Sequence, residues 1–215
     1  MEFSDFHDLV SKIKNMPLPG EESHNKMAPE VRIQEIDKWK LTKKVPRKAG
    51  VISLFYPDLN NQTRLLLILR KTYNGVHSNQ VGFPGGKVEL PDRNIQETAL
   101  RETWEEVGVK PQQIQLIKSV TELFIPPSNF MVHPFIGLTT STPEFVAQPS
   151  EVEQIIEVLF SDFMDDRLET SQTLTTSYAQ NITVPSFIFN DFIVWGATAM
   201  ILSEIKDLFK KSIEL

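Results

Sequence analysis

Thr98-Ala99-Leu100-Arg101-Glu102-Thr103-Trp104-Glu105-Glu106-Val107-Gly108-Val109, following Phe83-Pro84-Gly85-Gly86 and a short polar loop, decides how the rest of the chain is read. With side chains set about 100° apart, Ala99, Leu100, Thr103, Trp104 and Val107 share one side, and Glu97, Arg101, Glu102, Glu105 and Glu106 share the other. The spacing predicts an amphipathic helix. Glu102 and Glu106 stack one turn apart beside the Ala99 edge, on the border between the packed and solvated sides. Two carboxylates so stacked repel each other unless a cation sits between them. Glu105 falls instead next to Arg101 and Glu97, so its first partner is expected to be the guanidinium.

Hard divalent cations take oxygen ligands, and Mg²⁺ usually takes one or two protein carboxylates, leaving its other positions to water and substrate phosphates. Glu102 and Glu106 meet that requirement. A solvated acidic face is the commoner meaning of a glutamate run. Here, however, Gly85-Gly86 ends the apolar segment Gln80-Val81-Gly82-Phe83 and permits a backbone turn that few other residues tolerate. Such a turn can aim a main-chain carbonyl at the same cation.

These residues resemble the Nudix hydrolase box, Gly-x5-Glu-x7-Arg-Glu-U-x-Glu-Glu-x-Gly-U with U apolar. Gly86, Arg101, Glu102, Glu105, Glu106, Gly108 and Val109 match it. Asp92 stands at the early Glu position, the gap from there to Arg101 is one residue longer, and Thr103 occupies an apolar slot. Upstream, His77, Gln80 and Phe83 resemble the Arg-x-His-x-Gly-Gln-x-x-Phe-Pro-Gly-Gly run of members acting on coenzyme A, with Gly75 at the usual arginine and Asn79 at a usual glycine. Pro127-Ser128-Asn129-Phe130, Pro134 to Gly137, Glu151-Val152 and Trp195 to Ala199 also resemble that subfamily.

The resemblance implies an α/β/α sandwich with a mixed central sheet and Mg²⁺- or Mn²⁺-assisted hydrolysis of coenzyme A to 3′,5′-ADP and 4′-phosphopantetheine. It assigns the essential cation to Glu102 and Glu106 with a carbonyl of Gly85 or Gly86, while Arg101 orients Glu105 and Glu105 serves a second ion. Either a box glutamate or Glu151 is the base for the attacking water. His77, Gln80, Phe83, Ser128, Asn129 and Phe130 are the substrate-binding candidates, although turn chemistry alone accounts for Ser128 and Asn129. Two rivals are a Nudix hydrolase of ADP-ribose, NADH or an oxidised nucleotide, and a non-catalytic nucleotide-binding module. The module predicts loss of box carboxylates, and all of them are present.

The composition agrees with a small-molecule enzyme. A net charge of −6 over 215 residues leaves no basic stripe to displace the counterions of a nucleic acid. The absence of cysteine excludes thiolate chemistry and suits a reducing compartment. No apolar run is long enough for a membrane span and the first residues are acidic, so a cytoplasmic enzyme is expected.

Residues 3–16 have helical spacing and end at Pro17-Leu18-Pro19-Gly20. Residues 20–48 read as a polar connector whose basic cluster, Lys38 to Lys48, is either solvated or a positive field for an anionic substrate. We therefore divide the chain into an N-terminal helix and connector (1–48) and a Nudix domain (49–215). Strands are expected at 51–56 and 64–70 as a hairpin, at 114–124, 131–138 and 155–160, and as a late hairpin over 187–194. A helix over 195–211 closes the chain, packing on its own sheet or on a second subunit of a homodimer. His133 and Trp195 read as structural, Glu153 and Glu157 as surface, and His7 and His24 have no partner at metal-ligand spacing.

Overall fold

The computed structural model describes residues 1–42, 44–72, 79–174 and 181–214; His77 lies outside them. Strands β1 (Arg47–Pro57) and β2 (Thr63–Arg70) form the expected antiparallel hairpin, with Tyr56 opposite Arg64. The turn closes because Asp58 Oδ1 accepts from the backbone N–H of Asn60 and of Gln62. Both strands are apolar on both faces. Ile52, Leu54 and Tyr56 with Leu66 and Ile68 face one side, and Phe55 with Leu65 and Leu67 the other. That pattern marks strands covered from both sides.

The sheet grows outward from this hairpin. β7 (Phe130–Leu138) runs parallel to β1 on its other side, and β8 (Val152–Leu159) is antiparallel to β2. The short strands β3 (Val81–Gly82) and β4 (Gly85–Lys87), on either side of Phe83-Pro84, pair with β2 and β1. Beyond β7 lie β5 (Gln115–Ser119) and β6 (Leu123–Ile125), completing an eight-stranded mixed sheet. The single strand expected over 114–124 is thus two. At the break, Thr121 donates its backbone N–H and its hydroxyl to Glu204 instead of to a strand neighbour.

Helix α4 (Ile95–Val107) covers one face of the sheet, burying Ala99 and Val107 against Ile52, Leu54 and Tyr56. The opposite face is covered by α1 (Phe3–Ile13) and α6 (Gly196–Ile213). There the Phe6 ring lies 5.0 Å from Phe55, 5.1 Å from Phe160 and 5.4 Å from Phe209, close enough for favourable aromatic pairing. The result is the α/β/α arrangement. The apolar side of α6, including Ile201, Leu202, Ile205, Leu208 and Phe209, is buried in this chain's own core. Among the described residues no helix is long and apolar enough to cross a membrane.

Two further parts differ from expectation. The connector contains helices α2 (Glu21–Lys26) and α3 (Arg32–Lys40). α2 is locked to α6 by the fully buried Glu204 carboxylate, which accepts from the Gly20 N–H and meets His24 Nε2 at 3.0 Å. His24 is therefore an interior partner of Glu204. After the short helix α5 (Phe160–Met164), the late hairpin is β10 (Ile182–Phe189) with β11 (Phe192–Trp195), and β9 (Glu169–Leu174) adds a third strand.

Candidate active site

The carboxylate helix is fixed at both ends. The Asn94 side chain accepts from the Glu97 N–H at 2.9 Å, satisfying a free donor of the first turn. Gly108 ends the helix at φ 80°, a left-handed conformation that favours glycine, with its N–H on the Trp104 carbonyl. Packing of Ala99 and Val107 then sets the rotation of α4, which buries Glu106, half-buries Glu102 and leaves Glu105 in solvent.

Glu106 is 1% exposed, and its Oε2 accepts from the Gly85 N–H at 2.8 Å. Arg70, at the end of β2, braces it from the sheet. Its Nη1 lies 3.1 Å from Glu106 Oε1, and its Nη2 donates to the Gly85 carbonyl at 2.8 Å. The Nη1 contact lacks hydrogen-bond alignment, so Oε1 is a buried oxygen with no hydrogen bond. The Gly85 carbonyl is thus committed to Arg70. Gly86 serves through its lack of a side chain, because a Cβ there would fall on the Glu102 carboxyl.

Glu151, just before β8, supplies a third carboxylate. One oxygen each of Glu102, Glu106 and Glu151 lie within 4.8 Å of one another. Burial, with the charges of Glu102 and Glu151, pushes the Glu106 carboxyl up to about 7 against the opposing pull of Arg70 and the Gly85 N–H. Burial likewise raises Glu102. Three convergent carboxyl groups, one with a buried oxygen that accepts no hydrogen bond, form a donor set suited to a hard divalent cation.

Arg101 stands beside this cluster. It contacts Glu102 Oε1 at 3.1 Å and Glu105 Oε2 at 2.8 Å through Nη1, while Nε and Nη2 donate to Asp92 at 2.8 and 2.9 Å. The guanidinium holds the Asp92 carboxyl well below the usual carboxylate range. Asp92 therefore anchors Arg101 and stays out of the three-carboxylate cluster.

A cleft of about 510 Å³ opens over these groups, walled on its apolar side by Phe83, Ile125, Phe130, Met200 and Ile201. Gln80 also lines it. Ser128 and Asn129 do not. The Ser128 carbonyl accepts from Arg47, and Asn129 takes the Trp39 Nε1–H and donates to the Val45 carbonyl. Trp195 is partly exposed and lines the cleft, whereas the sequence suggested core. His133 pairs with Glu122 at 2.9 Å, in keeping with a structural part. Of the basic cluster, Lys38, Lys40, Lys44, Arg47 and Lys48 lie outside the cleft lining. Arg70 was missed by sequence reasoning because an arginine closing an apolar strand carries no signal of its own. Only the pairing of Arg70 with Val152 brings it beside Glu151.

The raised Glu106 has a thermodynamic consequence. Without a divalent cation the folded chain keeps this proton more tightly than the unfolded chain, so stability declines as pH rises from 4.5 through about 7. The displacement corresponds to at most about 3 kcal/mol. Melting in a chelator at pH 5 and pH 8 should show that decline, Mg²⁺ should reverse it at pH 8 by binding the charged folded form, and Glu106→Gln should flatten it.

Residues 46–174 match the family model of the NUDIX domain. The peroxisomal coenzyme A diphosphatase ndx-8 of Caenorhabditis elegans is 30% identical over 154 residues, which cover 71% of this chain and 64% of that protein, less than two thirds of its length. An uncharacterised Nudix hydrolase, NudL, of Pectobacterium atrosepticum is 31% identical over 171 residues, covering 74% of this chain and 81% of that one. Among solved structures, a MutT/nudix family protein from Enterococcus faecalis superposes with a TM-score of 0.49 at 17% identity, covering 83% of this chain and 70% of that one. A match that runs from β1 to β9 and takes in the whole carboxylate helix settles the kinship: the chain belongs to the Nudix family.

Proposed function

We propose that the protein is a Mg²⁺- or Mn²⁺-dependent hydrolase that cleaves the diphosphate of coenzyme A or its derivatives to 3′,5′-ADP and 4′-phosphopantetheine. The observation that carries the hydrolase reading is the Glu102, Glu106 and Glu151 cluster at the cleft. Coenzyme A as the substrate is supported by the likeness to the nematode coenzyme A diphosphatase and by the matching Gln80 and Phe83, both of which line the cleft.

Glu102 and Glu106 would hold the cation, with Glu151 and the Gly86 backbone beside it. The bound cation supplies neutralisation of the diphosphate charge and acidification of the attacking water. The protein's own groups do the rest. Arg70 keeps Glu106 against the Gly85 N–H, and Arg101, held by Asp92, keeps Glu105 at the cleft edge. Water adds to one phosphorus and the bridging P–O bond breaks, giving two phosphomonoesters. We assign the water's proton to Glu151, which is exposed and has no ion-pair partner among the described residues. The apolar wall offers a surface for the pantetheine arm.

Turnover of coenzyme A, ADP-ribose, NADH and a nucleoside triphosphate, each with Mg²⁺ and with Mn²⁺ and with products identified by mass, tests this. The highest kcat/KM is expected for coenzyme A with release of 3′,5′-ADP. A higher value for another diphosphate would replace the substrate, and no turnover of any would return the chain to the nucleotide-binding module.

A further inference from the structure

Among the described residues, the cationic side chains that line the cleft are Arg32, Arg70, Lys87 and Arg101. Three of them are committed within the protein: Arg70 to Glu106 and Gly85, Arg101 to Asp92, Glu102 and Glu105, and Lys87 to Glu89 at 3.4 Å. Arg32 is different. Among the described residues its guanidinium has no hydrogen bond and no ion pair, and Glu35 and Glu21 reach it only through their fields. Its surroundings desolvate it by more than those two carboxylates compensate. A partly buried cation left without a partner costs stability, and an incoming anion would remove that cost.

Arg32 is also held in place. It opens α3, a helix with no fully buried residue. What fixes α3 is Trp39, whose ring lies 4.3 Å from that of Phe124 and whose Nε1 donates to Asn129 Oδ1 at 2.7 Å. The turn that carries Asn129 also carries Pro126 and Pro127 of the cleft wall. The N-terminal extension thus presents one guanidinium at a set position in the cleft. Its planar fork of donors suits the oxygens of a phosphate.

The diphosphate itself is served by the carboxylate cluster and its cation. Coenzyme A carries one further anionic group, a phosphomonoester on the ribose. We infer that Arg32 is a specificity-determining residue that binds this ribose phosphomonoester; the assignment rests on the reading of coenzyme A as substrate.

The test compares kcat/KM for coenzyme A with that for dephospho-coenzyme A, which lacks only the phosphomonoester. The wild-type enzyme should prefer coenzyme A, and Arg32→Ala should cut that preference about 10- to 100-fold, mainly through KM, as expected for losing a charged hydrogen bond. Arg32→Lys should recover part of it, and Lys38→Ala, on the exposed side of the same helix, should keep the wild-type preference. No wild-type preference, an unchanged preference in Arg32→Ala, or an equal loss on both substrates would overturn the inference. If the wild-type enzyme hydrolyses neither, the substrate reading has failed by itself, and Arg32 is then judged by calorimetric binding of 3′,5′-ADP against 5′-AMP. Tighter binding of 3′,5′-ADP that disappears in Arg32→Ala supports the phosphate site, and equal affinities in the wild-type protein reject it.

Discussion

Glu106→Gln is expected to lower diphosphate hydrolysis at least on the order of a thousand-fold, the size of effect that follows when several kcal/mol of cation-derived stabilisation are lost. The fold should survive. The amide keeps an oxygen for the Gly85 N–H and removes a carboxylate whose burial is unfavourable, so the cation-free variant should melt no lower than wild type at pH 8. Glu105→Gln should behave differently, because Glu105 is 54% exposed and its partner is Arg101. It should keep most of the binding of the first cation while losing turnover by a smaller factor. Steady-state rates over a Mn²⁺ series, with melting curves beside them, separate the two outcomes.

Gly86→Ala is expected to be nearly as damaging, for a steric reason. A methyl group at 86 would occupy the space of the Glu102 carboxyl, so either that carboxylate or β4 must shift. Misplacing a group in the reacting cluster by about 1 Å can cost about a hundred-fold in rate, whereas overpacking of this kind costs about 1–3 kcal/mol of stability. Turnover should therefore collapse while the protein stays folded at 25 °C, with cation affinity reduced along with it. A variant that retained near-wild-type rates would mean that the approach of Glu102 to residue 86 is irrelevant to catalysis.

Much of the carboxylate helix was legible because its information is local. The 3.6-residue period marked it from Thr98 on, although the helix starts three residues earlier at Ile95 and Trp104, read on the packed side, is half exposed. The same wheel put Glu105 with Arg101, a pair 2.8 Å apart in the structure, and put Glu102 and Glu106 on the buried border. The β1–β2 hairpin was legible because both strands are apolar on both faces and are separated by a turn-rich segment. α3 was not, since no residue of it is buried and its sequence carries no apolar stripe. β9 was missed because Glu169 to Leu174 is mostly polar and pairs at the edge of the smaller sheet. Arg70 reaches Glu106, and Arg32 reaches the cleft, only through tertiary packing, whereas Glu151 was already a candidate base in the sequence. Asp92, one position out of the usual spacing, showed its part only once its two oxygens were found on Arg101.

Titration of Mn²⁺ into the wild-type protein, Glu106→Gln, Glu102→Gln and Glu105→Gln, followed by calorimetry at pH 8 without substrate, separates the roles of the carboxylates most directly. One tight site is expected in the wild-type protein, lost in Glu106→Gln and Glu102→Gln and retained in Glu105→Gln. Equal affinity in all four proteins, or equal loss in all three variants, would contradict the unequal roles of the carboxylates and with them the proposed cation site.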